Sequence, residues 1–297
     1  MISYAQNFED VMLARAFPGD LPGFYVDIGA MDPEFHSVTK HFYDRGWHGV
    51  NVEPTPGFHE KLARERPRDV NLCAAVGPER GERPFHDSEG HGISTFRADL
   101  AQHFEGLQYS FRTRQVSVLP LREICARYCP GPIDFLKVDV EGTEEEVLES
   151  GDWNLFRPRI VLVEAVAADT MAPSWSAWEP LLLDNRYLFA YFDGLNRFYV
   201  RQEDQRLADC FRLPPNILDR FEMHELVRLR HTQGPPRSWA RSGRPTTSLW
   251  ILSEEGPDTE VWRRVLRVSG LPRSILRAGW RAVSAIVRRL KGSAPPR

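Results

Sequence analysis

The chain has 297 residues, 42% hydrophobic and 27% charged, with a formal net charge of −3. That length holds one α/β domain plus appendages, and the charge is too small for a polyanion-binding surface over the whole molecule, which argues against nucleic acid as a partner. No apolar segment reaches the ~20 residues a spanning helix needs. Residues 1–7 lack a basic region followed by an apolar run, so no signal peptide is read there and the expected compartment is the cytoplasm. Cys73, Cys125, Cys129 and Cys210 have no CxxC spacing and read as core or interface thiols rather than metal ligands.

Residues 1–20 read as an opening helix, with Phe8, Val11, Met12, Leu13 and Phe17 on one face. Phe24-Tyr25-Val26-Asp27-Ile28 reads as a buried strand running into Gly29-Ala30. A helix over 36–46 then leads to a second strand, Gly49-Val50-Asn51-Val52, ending in Glu53-Pro54. A helix over 56–65, with proline in its first turn, precedes a third strand over 70–76. Residues 77–114 read as a long irregular segment with short strands near Pro84-Phe85 and Ile93; such a loop is functional or poorly ordered.

A short strand over 115–118, a helix over 121–128 and a central strand over 133–140 follow. Thr143 as a cap and Glu144-Glu145-Glu146 in a first turn open the next helix. Residues 159–166 form another buried strand, and 175–185 a helix. Strands over 187–193 and 197–201 are joined by a hairpin turn at Gly194-Leu195-Asn196. The alternation predicts an α/β fold with a doubly wound, mostly parallel sheet and an antiparallel last strand. Ligand is expected beyond the carboxyl ends of the first and fourth strands. This domain is drawn at 1–205, a linker with Pro214-Pro215 at 206–257, and a basic amphipathic helical tail at 258–297. The tail suits an anionic membrane surface or a protein contact, and equally a solvated basic face.

The chemistry starts from two acids one repeat apart. Asp27-Ile28-Gly29-Ala30-Met31-Asp32 lacks the G-x-G-x-x-G of a pyrophosphate loop, and Asp32 and Glu34 would repel phosphate. S-adenosylmethionine carries a sulfonium and an ammonium and no phosphate, so it suits these acids. Gly29 allows close backbone approach, and Glu53, held extended by Pro54, is placed to accept ribose hydroxyls. The plain alternatives are a turn glycine, Asp32 capping the helix, and Glu53 as a solvent-exposed strand end. Lys137-Val138-Asp139-Val140-Glu141-Gly142 ends the fourth strand, with Asp139 and Glu141 on one side if the strand continues, and Glu164 ends the fifth. Three carboxylates there allow a general base or an oxygen-ligand Mg²⁺ site. For Glu164 a salt bridge with Lys137 or Arg159 competes. His36 and His91 are within reach as bases or lid residues, against the reading of both as surface histidines.

Residues 3–10 (Ser-Tyr-Ala-Gln-Asn-Phe-Glu-Asp), 23–30, 46–54 and 134–142 together make the chain resemble FkbM-type methyltransferases, of the class I S-adenosylmethionine-dependent superfamily, over residues 1–205. The resemblance implies a seven-stranded sheet and methyl transfer, mostly to oxygen, on acceptors such as sugars and polyketides. It implies Asp27, Gly29 and Glu53 at the cofactor and Asp139 and Glu141 at the reaction centre; the reading of the residues themselves adds Ala30, Asp32 and Pro54 to the cofactor side and Glu164 and His36 to the catalytic candidates. The expected function is O-methylation of a saccharide or glycoconjugate. The alternative is a non-catalytic cofactor-binding module that tethers a glycan-assembly complex. An NAD-dependent sugar oxidoreductase is disfavoured by the missing glycines.

Overall fold

The computed structural model describes residues 1–19, 21–168 and 170–233. In chain order the elements are β1 (Ile2–Ser3), α1 (Glu9–Ala16), β2 (Phe24–Ile28), α2 (Lys40–Asp44), β3 (His48–Val52), α3 (Pro56–Glu65), β4 (Val70–Leu72), β5 (Ala75–Val76) and β6 (Gly81–Asp87). They continue with α4 (Ala98–Gly106), β7 (Arg112–Leu119), α5 (Leu121–Tyr128), β8 (Phe135–Val138), α6 (Glu144–Glu149), β9 (Ile160–Glu164), α7 (Glu179–Asp184), β10 (Tyr187–Phe192) and β11 (Asn196–Arg201). Two 3-10 helices (Gln202–Phe211 and Ile217–Asp219), β12 (Glu222–Met223) and α8 (His224–Gln233) close the described chain.

Seven strands form one sheet in the order β10-β11-β9-β8-β2-β3-β4. β2, β3, β4, β8 and β9 pair parallel, and β11 is antiparallel to both of its neighbours. The strands are apolar at both side-chain parities, and the two parities feed two cores. Val26, Ile28, Leu136, Val138, Val161 and Val163 pack with Ile124 of α5, Leu148 of α6 and Leu182 of α7. Tyr25, Phe135, Ile160, Leu162 and Phe198 pack with Met12 and Leu13 of α1, Phe42 of α2 and Phe211. A sheet buried on both faces needs such unbroken apolar runs. Both cores stand behind the strand ends and leave the loops beyond them to carry function.

The structure revises several expectations. The run over 70–76 is two strands: β4 stays beside β3, while β5 turns away to pair with β7 in a separate sheet of order β5-β7-β6. The segment 77–114 is therefore structured, holding β6, α4 and the start of β7, over a small core of Ala75, Phe85, Val116 and Val118. The opening helix is shortened to α1, and Ile2-Ser3 instead pairs parallel with Glu222-Met223. The helix expected over 36–46 is only α2, Lys40–Asp44.

The first compact unit runs Met1–Leu226, past the boundary drawn at 205. Phe211 is fully buried in the second core. Arg15 forks onto Asp219 with two bonds of 2.6 Å and donates to the Pro214 carbonyl at 2.9 Å, so Pro214-Pro215 belongs to the fold rather than to a linker. The remaining linker prolines and the basic tail over 258–297 lie outside the described residues. No helix among the described residues is long and apolar enough to cross a membrane.

Candidate active site

The carboxyl ends of β2, β3 and β8 are tied together by main-chain bonds. The Gly29 and Ala30 amides donate to the Val52 carbonyl at 3.0 and 3.2 Å, and the Asp139 amide donates to Ile28 at 3.1 Å. Gly29 has φ +80°, and a Cβ there would stand 1.8 Å from the Asp139 carbonyl oxygen. The glycine is thus required by the backbone approach of the β8 loop, which sequence reasoning assigned to a ligand.

Under this junction lies Lys137, in the middle of an apolar strand. Its Nζ is 3.1 Å from the Gly29 carbonyl, 3.2 Å from Asp139 Oδ2 and 3.5 Å from Asp27 Oδ1. Burial pulls the pKa of this ammonium down, but Asp139 and Asp27 outweigh burial and leave it above its ordinary value, so Lys137 stays charged. Sequence reasoning gave Lys137 no role beyond pairing with Glu164. The signal was a lysine inside Phe135-Leu136-Lys137-Val138, a place where only a paired cation is tolerated. Asp27 is 1% exposed, and its carboxylate faces Lys137 and the Thr39 hydroxyl (3.1 Å), so it anchors the site from beneath.

Glu53 is 5% exposed, which overturns the solvent-exposed strand end. Its Oε2 accepts from the Met31 amide at 3.0 Å and its Oε1 from the Thr55 amide at 2.7 Å. Burial raises its pKa, against these amides, which lower it. Each oxygen keeps a lone pair for a further donor. Glu53 therefore fixes the first loop and can still receive hydroxyls, which fits the ribose of a nucleoside. Pro54 is half-buried behind it, and Ala30 is buried. Asp32 Oδ1 accepts from the Glu34 and Phe35 amides at 2.9 and 3.0 Å, and Oδ2 meets Lys61 at 3.0 Å. It caps a turn of the loop, since α2 begins only at Lys40.

Asp139, Glu141 and Glu164 are brought together, with one oxygen from each within 4.8 Å of the others. Strand alternation does not place Glu141: β8 stops at Val138, and Glu141 and Gly142 take φ +57° and +101°. That left-handed pair turns the chain back over the strand end. Glu144, rather than Thr143, secures the turn, accepting from the Val140 and Gly142 amides at 3.2 and 3.0 Å. Thr143 makes no capping bond. The two glutamates of the cluster are pushed well above the carboxylate range, first by burial and then by the charge of Asp139. The salt bridges expected for Glu164 are not formed. Lys137 serves Asp27 and Asp139, and Arg159 holds Asp134 and Asp204 at 3.0 and 3.3 Å.

His36 sits half-buried with φ +56°, its ring stacked on Phe35 at 3.7 Å and its backbone bridged to Ala5. Burial lowers its pKa, against the charges of Glu225, Asp139 and Asp32, so the imidazole is neutral near pH 7. The segment 88–97 lies over both loops. Thr95 Oγ1 donates to the Glu141 carbonyl at 2.7 Å, Gly92 lies against Met31 Sδ, and Arg97 against Gly142. His91 is exposed, with its ring edge on Tyr109 at 5.2 Å. Trp153 and Trp178 are buried in the first core and Trp175 packs against it, so core packing accounts for Trp153 and Trp178. Sequence reasoning also missed Glu9, which accepts from Asn196 Nδ2 at 2.8 Å. Asn196 is the residue opposite Glu164 in the sheet.

Solved structures resemble the chain distantly. One is a methyltransferase FkbM from Methylobacillus flagellatus KT, at 15% identity and TM-score 0.40, covering 60% of this chain and 43% of that one. A precorrin-6y C5,15-methyltransferase from Geobacter metallireducens GS-15 matches at 15% identity and TM-score 0.34, covering 66% and 89%. A mitomycin 7-O-methyltransferase matches at 14% and 0.34, covering 66% and 53%. No curated protein matches. The sequence model of the methyltransferase FkbM domain matches residues 27–189, more than half of the chain. The chain therefore belongs to the FkbM methyltransferase family, and that membership implies S-adenosylmethionine as its methyl donor.

Proposed function

We propose that the protein is an O-methyltransferase that moves the sulfonium methyl of S-adenosylmethionine to a hydroxyl of a saccharide or glycoconjugate, on a doubly wound sheet of the class I kind. The observation that carries this reading is the division of acids among the strand ends. Glu53 stands at β3 with lone pairs to spare, and Asp139, Glu141 and Glu164 gather at β8 and β9. On this reading Glu53 accepts the ribose hydroxyls and Asp139, at the end of β8, lies on the acceptor side. Lys137 and Asp27 fix the floor between them.

The transfer is an in-line displacement. A lone pair of the acceptor oxygen forms the new bond to the methyl carbon. The carbon–sulfur bond breaks, and its electron pair goes to sulfur, leaving S-adenosylhomocysteine. The hydroxyl proton passes to His36, a half-buried imidazole in the loop after β2 whose pKa burial lowers, which suits a base. Aligning oxygen, carbon and sulfur supplies most of the rate. Thr95 and the segment 88–97 cover the acceptor side and limit which sugars enter. The reaction is assigned to the cytoplasm, with residues 258–297 as the attachment to a membrane surface or protein partner.

The reading is tested by incubating the protein with methyl-labelled S-adenosylmethionine and a panel of hexoses, deoxyhexoses and oligosaccharides. Label is expected in a base-stable ether of at least one hydroxylated sugar, and His36→Ala is expected to lower turnover about 10²-fold or more. Label found only on nitrogen, or only in a base-labile ester, would contradict it.

A further inference from the structure

We propose that Asp139, Glu141 and Glu164 bind one divalent cation, Mg²⁺ or Mn²⁺, through which the acceptor's oxygens are held. Their nearest oxygens lie within 4.8 Å of one another. Oxygens on opposite sides of an ion that binds at about 2.1–2.4 Å are themselves about 4.2–4.8 Å apart, so the group is already spaced to close on one ion. Two carboxylates come from the turn after β8 and the third from the end of β9, so they converge from two elements.

A second observation points to a missing ligand. Glu164 is 8% exposed, and among the described residues no hydrogen bond or ion pair reaches its carboxylate. The groups best placed to satisfy it are committed elsewhere. Asn196, opposite it in the sheet, gives its amide to Glu9 and Asp193 at 2.8 and 3.2 Å. Arg159, at the start of the same strand, is turned to Asp134 and Asp204. Glu141 Oε2 is likewise shielded from solvent without a partner. Buried polar atoms are almost always satisfied, and a buried carboxylate left unpaired is costly. Lys137, the ammonium that reaches Asp139, is shared with Asp27 and the Gly29 carbonyl.

Carboxylate oxygens without nitrogen or sulfur select a hard cation. Three protein oxygens leave positions open, as Mg²⁺ prefers, for water and for vicinal hydroxyls of a sugar. A cation there would polarise the attacking hydroxyl and lower its pKa, so that His36 takes the proton more readily. That role rests on the methyl-transfer reading, whereas binding of the ion does not.

The test uses the full chain stripped of metal. Mn²⁺ is added and its free resonance followed by electron paramagnetic resonance, with Mg²⁺ as competitor, and S-adenosylhomocysteine binding is measured on the same sample. The expected result is one Mn²⁺ per chain, displaced by Mg²⁺. Glu164→Gln and Glu141→Gln should each weaken binding about tenfold or more, with no fall in melting temperature. Glu65→Gln, on the far end of α3, should bind as the parent does. If Glu164→Gln does not fold, Glu141→Gln decides. The proposal is overturned if folded protein that binds S-adenosylhomocysteine takes up no Mn²⁺, or if both variants bind Mn²⁺ as the parent does. Mn²⁺ bound without S-adenosylhomocysteine would uphold the ion site and sink the methyl-transfer reading.

Discussion

The two halves of the site treat their acids differently. At the ends of β2 and β3, Asp32 and Glu53 are hydrogen-bonded by two loop amides and Lys61 and by the amides of Met31 and Thr55, while Asp27 accepts from Thr39 and its Oδ1 has the Lys137 charge at 3.5 Å but no hydrogen bond. At the ends of β8 and β9, Glu141 Oε2 is shielded with neither a hydrogen bond nor an ion pair, and none reaches the Glu164 carboxylate among the described residues. The first half is finished by the fold. The second is held together by backbone geometry and completed only by what binds there.

The largest expected effect breaks the joint between the halves. Lys137→Met removes the cation from Asp27 and Asp139, and stability should fall by about 3–5 kcal/mol in denaturant titration. An unchanged midpoint would mean that the lysine is not the joint. Next comes Gly29→Ala, which puts a methyl group on the Asp139 carbonyl at φ +80°. A loss of about 2–4 kcal/mol is expected, with the carboxylate cluster disturbed as well. Wild-type stability would show that the β8 loop moves aside freely.

Glu9 sharpens the comparison from behind the cluster. Burial raises its pKa from 4.5 to about 7, against amide bonds that lower it. The folded state thus holds the proton more tightly than the unfolded chain, so its contribution is fully present below the unfolded value. It is lost as pH rises from about 4.5 towards 7, by up to about 3 kcal/mol. Glu9→Gln should flatten that decline in melts run across the window, and parallel curves for the two proteins would refute the assignment. The smallest effect is expected at Asp32→Asn. It keeps the turn acceptor and loses only an exposed pair with Lys61, for less than about 1 kcal/mol.

The parallel sheet was legible because its strands are apolar at both parities and end in acids or glycine. The antiparallel β11 followed from the hairpin turn at Gly194-Leu195-Asn196, while strand ends were overdrawn at 70–76 and 133–140. The small sheet was legible only as short strands near Pro84-Phe85 and over 115–118; its full extent and its separation from the main sheet were not. β6 is Gly-Glu-Arg-Pro-Phe-His-Asp with Phe85 as its buried apolar residue, and it becomes a strand only by pairing with β7. The extension to Leu226 was hidden because Arg15 and Asp219 meet across 204 residues, and no local pattern announces that. In the site, the gathering of Asp139, Glu141 and Glu164 was readable, but the backbone path that brings Glu141 there was not. Glu141 reaches the cluster through a left-handed turn, which periodicity cannot anticipate, and Gly29 is required by a backbone contact with Asp139 that no local pattern announces.

The most direct test of the account is calorimetric titration with S-adenosylhomocysteine, and separately with NADH, of the parent protein and Glu53→Ala, each checked for folding by its melt. The account predicts that S-adenosylhomocysteine binds and NADH does not, and that the variant loses about tenfold or more in affinity for S-adenosylhomocysteine. A folded parent protein that ignores S-adenosylhomocysteine, or a variant that binds it as tightly as the parent, would contradict it.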